Sequence, residues 1–445
     1  MERGERTGRK RWSRRAVLRW GAVAGVGGLG GCPLFDGPSS VTPAPLDTET
    51  ESTGTVDGST PTDRSDSPSD AGAPTEGEAT VTHEPSETVG SWPVVQADEA
   101  HTGWRPDADG PDSPVEVAWS VDVGGGVQRS VTLTDDRVFA GSADGTVTAV
   151  DAGDGTVRWT FEADDGVRAT PTVADGLVYC GDESGALTAL DAEEGAQQWR
   201  FSATSDRGGP TAFRAGPVVT GDRAYVGATD GRVYALDTAD GTEQWSFDAG
   251  GFLGVVMPVA VSLGRVFAGS YAGRLFALDA DDGGEEWRYG GRAETRTWSG
   301  PTVAGGVVYA GASPGGVFAV DAVEGTEQWQ IRTDEAVFSS PAVTEEAVYA
   351  GTDGGAVLAL DADDGSERWR VEAESPVKSS PAVVEGVVYV GTTGGAVLAL
   401  DTSDGAERWR FEPGGGVPGP PAVVEGRLFV GDDSGRVVAL AQAGG

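Results

Sequence analysis

The chain has 445 residues, 70 of them acidic and 32 basic, for a net charge of −38. Negative charge spread over the whole length disfavours nucleic acid, whose phosphates call for a basic surface. With only Cys32, Cys180, His83 and His101 available, a disulfide scaffold, a cysteine metal site and histidine-based acid–base chemistry in the repeats are excluded.

Residues 1–32 read as an export signal. Arg14 and Arg15 lie in Ser13-Arg14-Arg15-Ala16-Val17-Leu18-Arg19, a twin-arginine pattern, and a mild apolar stretch from Gly21 to Gly31 comes next. That stretch is too short to span a bilayer. It ends at Leu29-Gly30-Gly31-Cys32, which resembles a lipobox whose cysteine becomes lipidated. Plain cleavage or an uncleaved anchor are the alternatives.

Residues 33–90 are Ser, Thr, Pro, Asp, Glu and Gly, with almost no large apolar side chains after Leu34-Phe35. Such a segment cannot bury enough surface to offset ordering, so it is expected to be a disordered tether. No asparagine occurs in the chain, so any sugar on this stalk would be O-linked. Residues 91–114, with Trp92-Pro93 and His101-Thr102-Gly103-Trp104, form a lead-in to a repeat region.

From residue 115 to 445 one phrase repeats. Trp119, Trp159, Trp199, Trp245, Trp287, Trp329, Trp369 and Trp409 recur at intervals of 40, 40, 46, 42, 42, 40 and 40 residues. Each full copy holds four short apolar runs separated by Gly or Asp-Gly turns, as in Ser340-Pro341-Ala342-Val343, Val348–Gly351, Val357–Asp361 and Gly365–Trp369. Four strands per copy at this period predict propeller blades, because one sheet cannot bury both faces until neighbours stack on it. The first tryptophan run precedes the first full copy, and the last copy ends before reaching a tryptophan. Pairing of Val117–Val121 with Val438-Ala439-Leu440 would therefore complete an eighth blade and remove both free edges.

The spacing Ala-Leu-Asp-x-x-x-Gly-x-x-x-Trp resembles the quinoprotein-type (PQQ-like) propeller repeat. The Asp-to-Trp interval holds seven times, from Asp151/Trp159 to Asp401/Trp409. The resemblance implies an all-β, eight-bladed propeller in which all eight tryptophans dock on adjacent blades as structural residues. The layout is also similar to that of BamB-type lipoproteins, which serve as assembly scaffolds. The acidic composition, with Lys10 and Lys378 as the only lysines, is similar to that of salt-in halophile proteins, whose crowded carboxylates are screened by molar salt.

The same resemblance raises an enzyme. Quinoprotein alcohol dehydrogenases hold pyrroloquinoline quinone (PQQ) and calcium using adjacent cysteines, a Glu, an Asn and a catalytic Asp. Adjacent cysteines and asparagine are both missing here. The clusters Asp279–Gly283 and Asp361–Gly365 fall where every copy has a hairpin turn, so they read as solvated turns and not calcium loops. No catalytic, cofactor-binding or metal-ligating residue is assigned.

What varies on the repeated frame is the residue three before the Ser-Pro-Ala-Val proline: Gln128, Arg168, Arg214, Val255, Trp298, Phe338, Lys378 and Pro418. The next residue is usually small. The first residues of each copy are expected to ring one mouth of the central channel, where these folds place recognition. Arg168, Arg214, Trp298, Phe338 and Lys378 form the candidate ligand or partner face; plugging of the channel is the alternative. The chain is thus expected to be a lipid-anchored, non-catalytic scaffold at the extracellular face of the membrane. It would bind a protein partner or a small anionic ligand. A PQQ-dependent dehydrogenase and a surface glycan-binding module are the alternatives.

Overall fold

A computed structural model of the chain describes residues 92–444, apart from residues 93, 95, 107, 112–113, 206–210, 251–253, 291–295 and 298, and only the backbone of 296–297. Arg14, Arg15, Cys32, the 33–90 tether and Trp298 lie outside the described residues.

The described chain forms eight sheets, each built on four antiparallel strands, and Trp104–Arg105 adds a parallel strand to the sheet of blade 7. Blade 6 is typical, with strands Ala342–Val343, Ala347–Gly351, Ala356–Asp361 and Glu367–Glu372 running outward from the axis. Its two central strands are buried almost throughout, because neighbouring blades cover both faces, and their sequences are accordingly continuous apolar runs. The outer strand alternates, with Trp369 turned inward between exposed neighbours. A register shift just before the tryptophan recurs in the outer strands, such as that at Ala359/Leu360. It bends the strand and aims the ring sideways.

The repeated phrase now has a mechanical meaning. In blade 7 the Asp401 carboxylate accepts from the Ser403 N–H at 2.8 Å and from the Arg408 guanidinium at 2.8 Å, closing the turn before the outer strand. Those bonds, the ones from Ser403 first, pull the Asp401 carboxyl down to about 2. Asp279 and Asp361 accept in the same way from the N–H groups of Asp281 and Asp363, at 2.8 and 3.0 Å. The Asp clusters are therefore turn caps. Gly405 ends the same turn at φ +75, and a Cβ there would sit 2.8 Å from the Trp369 ring of the preceding blade. Only glycine gives both the turn and the close approach.

Each of the eight tryptophan Nε1–H groups donates to a backbone carbonyl outside its own blade. The acceptors run from Ala152 for Trp119 to Thr402 for Trp369, at 2.7–3.1 Å. Trp409 departs from the pattern: it donates to Pro111 in the lead-in, at 2.8 Å. Each ring also lies 5.7–5.9 Å from a Tyr or Phe of its own blade, as Tyr349 does for Trp369.

The ring closes as the end-counting predicts. Val115–Asp122 pairs antiparallel with Arg436–Gln442, with Trp119 opposite Ala439, so the two ends of the repeat region share blade 8. Because blade 8 takes its outer strand from the N-terminal side, it lacks the Asp turn that would receive Trp409, and Pro111 stands in for it.

The lead-in does more than precede the ring. Its backbone bonds to the innermost strands of blades 1, 4, 5, 6 and 7, through Trp92–Leu133, Glu99–Val261, Ala100–Val303, Thr102–Val343 and Gly103–Val383, at 2.7–3.0 Å. A segment this short that reaches blades on opposite sides must cross the axis. Trp92, Gln96, Ala97 and His101 are buried. The Gln96 amide donates to the carbonyls of Ser340 and Pro341 at 3.2 and 3.1 Å, locking the crossing in place. The lead-in is thus a stopper in the channel. Among the described residues no helix is long and apolar enough to cross a membrane.

Candidate functional site

A small pocket, partly open to solvent, lies on the axis; its lining comes from seven of the eight blades. Residues immediately before the strand-opening prolines form one tier, including Thr170, Gly216, Ser340, Ser380 and Pro420. Phe338, Lys378 and Pro418, two positions earlier in the chain, contribute from the rim. Hydroxyls tie the tiers to adjacent blades: Ser130 Oγ donates to the Pro420 carbonyl at 2.8 Å, and Ser340 N–H donates to Ser380 Oγ at 2.9 Å. Gln96 bonds to Ser340 and Pro341, so the stopper lies at the inner end of this pocket.

The residues singled out in the sequence divide. Phe338 and Lys378 meet: the ammonium lies 5.3 Å from the ring centroid and 3.1 Å from Asp353. Arg168 and Arg214 also meet, through Glu183. Arg214 holds that carboxylate with two nitrogens at 2.8 and 2.9 Å. Arg168 approaches it at 3.7 Å and donates to Gln128 Oε1. The three named cations therefore already have carboxylate partners.

Val255 does not reach the mouth. It is fully buried and packs on Gly227, as Val337 packs on Gly311 and Val377 on Gly351. Blade 4 has one residue fewer between this valine and its proline, so aligning on the proline shifts the register by one. Met257 joins the pocket lining instead.

The residue that proline alignment passes over is Arg129. It occupies the slot held by buried Ala169, Ala215, Ser299, Ser339 and Ser379 in other copies. Where serine sits there, its hydroxyl accepts from a glycine N–H of the same blade, as Ser339 does from Gly351 at 2.7 Å. An arginine fits neither the space nor that bond, and its side chain lines the axial pocket. The signal was available as the one large charged residue in a slot of small ones.

Cys180 faces Thr188 between the central strands of blade 2, and burial pushes its thiol up to about 12. It is an inert core residue. Among the described residues, no group of three His, Cys, Asp or Glu side chains is arranged to hold a metal ion.

The family model described as outer membrane protein assembly factor BamB matches residues 113–248, 229–376 and 353–445. The chain belongs to that family. No curated protein matches it. Among solved structures, BamB from Moraxella catarrhalis is similar at 21% identity and a TM-score of 0.64, over 74% of this chain and 100% of that one. Quinohemoprotein alcohol dehydrogenase from Comamonas testosteroni is similar at 17% identity and a TM-score of 0.70, over 79% of this chain and 80% of that one. A europium-containing methanol dehydrogenase is similar at 16% identity and a TM-score of 0.65, over 79% of this chain and 98% of that one. At these identities the likenesses establish the propeller and nothing about chemistry.

Proposed function

We propose that this is an exported, lipid-anchored, non-catalytic propeller. It acts as a binding or assembly scaffold on the outer face of the cell membrane and recognises a protein partner or a small anionic ligand. Membership of the BamB family supports a protein partner. The arginine pair Arg14 and Arg15 supports export, and Cys32 supports attachment through lipid alone. The observation that carries the reading is the axial pocket, backed by the lead-in and rimmed by side chains that vary from blade to blade while the frame repeats.

A PQQ-dependent dehydrogenase is the alternative, favoured by the fold of the quinohemoprotein and methanol dehydrogenases. Its calcium would need side-chain carboxylates among its ligands, and the described pocket lining has none; it has cations and hydroxyls. The residues present do not fit that pair of groups. A glycan-binding module would use Trp298 and Phe338 as platforms, but the Phe338 ring already faces the Lys378 ammonium.

The test is the paired variant Arg168→Ala with Arg214→Ala. Both side chains are about half exposed, at 42% and 50%, and exposed ion pairs contribute only about 0–1 kcal/mol. Melting should scarcely move, while capture of partners from native membranes should be lost. Normal capture together with a clear drop in melting temperature would mean that these residues only fill the rim.

A further inference from the structure

Arg129 sits in a setting that no other cation at this mouth shares. The chain carries 70 carboxylates against 32 basic side chains, and Arg168, Arg214 and Lys378 are each within 4 Å of one. The Arg129 guanidinium makes no hydrogen bond or ion pair with any described residue. It is only partly open to solvent, at the pocket wall. Burial draws it below the usual arginine range; nearby Tyr271 opposes that effect, and Arg214 adds to it by like-charge repulsion. A cation partly withdrawn from water, beside another cation and without an anion among the described residues, is an unfavourable arrangement that a bound anion would relieve.

The frame fixes this side chain in place. Gly419 of blade 8 comes so close that a Cβ there would lie 2.4 Å from the Arg129 carbonyl. Ser130, the next residue, is bonded to the Pro420 carbonyl. The backbone that launches Arg129 is thus clamped between blades 8 and 1.

We infer that the axial pocket is a binding site for a small carboxylate, which Arg129 receives. The inference deepens the binding reading above and rests on it. A planar guanidinium offers paired N–H groups that match a carboxylate. Hydroxyls of Thr170, Ser340 and Ser380 line the same space and supply further donors, while Met257 gives an apolar wall. One cation unpaired among the described residues matches one negative charge, which favours a monocarboxylate over a dianionic phosphate. The carboxylate has two possible sources, a free metabolite-sized acid or an acidic side chain of the partner.

The experiment is calorimetric titration of the intact protein with acetate and with its neutral isostere acetamide. Wild type should bind acetate at least tenfold more tightly than acetamide. Arg129→Met should erase that difference, and Arg129→Lys, which keeps the charge but not the fork, should restore part of it. Because Arg129 satisfies no partner among the described residues, Arg129→Met should melt at the wild-type temperature or above. Equal binding of acetate and acetamide, undetectable acetate binding by wild type, or a large fall in melting temperature of Arg129→Met would each overturn the proposal. Acetate that displaces a captured partner identifies the partner's acidic side chain as the natural carboxylate; acetate bound beside the partner identifies a free acid. Failure of acetate leaves capture through Arg168 and Arg214 intact, so the two readings fail separately.

Discussion

Trp369→Ala is expected to lower the unfolding free energy by roughly 3–5 kcal/mol, the range of large-to-small changes in packed cores. The ring is 8% exposed and lies between the outer strand of blade 6 and the Asp turn of blade 7. Three losses coincide. The ring contact with Tyr349 goes, the Thr402 carbonyl loses its 2.9 Å donor, and a cavity opens over Gly405. Trp369→Phe should cost less, since it keeps much of the apolar contact and gives up the N–H. Denaturant melts of both variants check this. A loss below about 1 kcal/mol for the alanine variant would mean that the blades are not joined through their tryptophans.

Acidification from pH 6.5 is expected to destabilise the protein through a single histidine, His101. It is 1% exposed in the stopper, its Nδ1 has no partner, and burial holds its pKa down to about 3 from an ordinary 6.5. Between those values the unfolded chain binds a proton that the folded chain refuses. Stability therefore falls as pH drops through that window and is flat above it. One proton gives a slope of about 1.4 kcal/mol per pH unit, and the full shift is on the order of 4–5 kcal/mol. Asp98, raised mainly by burial, acts in the opposite direction lower in the range. Asp401, held at about 2, adds its own loss between about pH 4 and 2. The cleanest readout is the denaturation midpoint between pH 6.5 and 5, where His101→Gln should flatten the slope. An unchanged slope in that variant would move the titration to a group other than His101.

The propeller was legible because its signals are periodic. The Asp-to-Trp spacing repeats for a physical cause, a capped turn whose glycine lies under the previous blade's tryptophan, and both ends of the repeat name their missing strand. The stopper was not legible. Its contacts are backbone bonds to strands far away in sequence, which leave no pattern in residues 91–114. The rim was legible as a set of variable positions but not in its electrostatics, since Glu183 and Asp353, which hold Arg214 and Lys378, come from other hairpins. Val255 shows the limit of proline alignment when one blade is a residue short. Arg129 was visible as an exception in a slot of small residues, but only the structure shows that its side chain lines the axis without a partner among the described residues.

The measurement that bears most directly on a binding rather than catalytic role is dye-linked oxidation by purified protein supplied with PQQ and calcium. Alcohols and sugars should give no turnover above background and the protein should gain no quinone absorbance, in keeping with a described pocket lining of cations and hydroxyls without side-chain carboxylates. Quinone-dependent turnover would contradict the account.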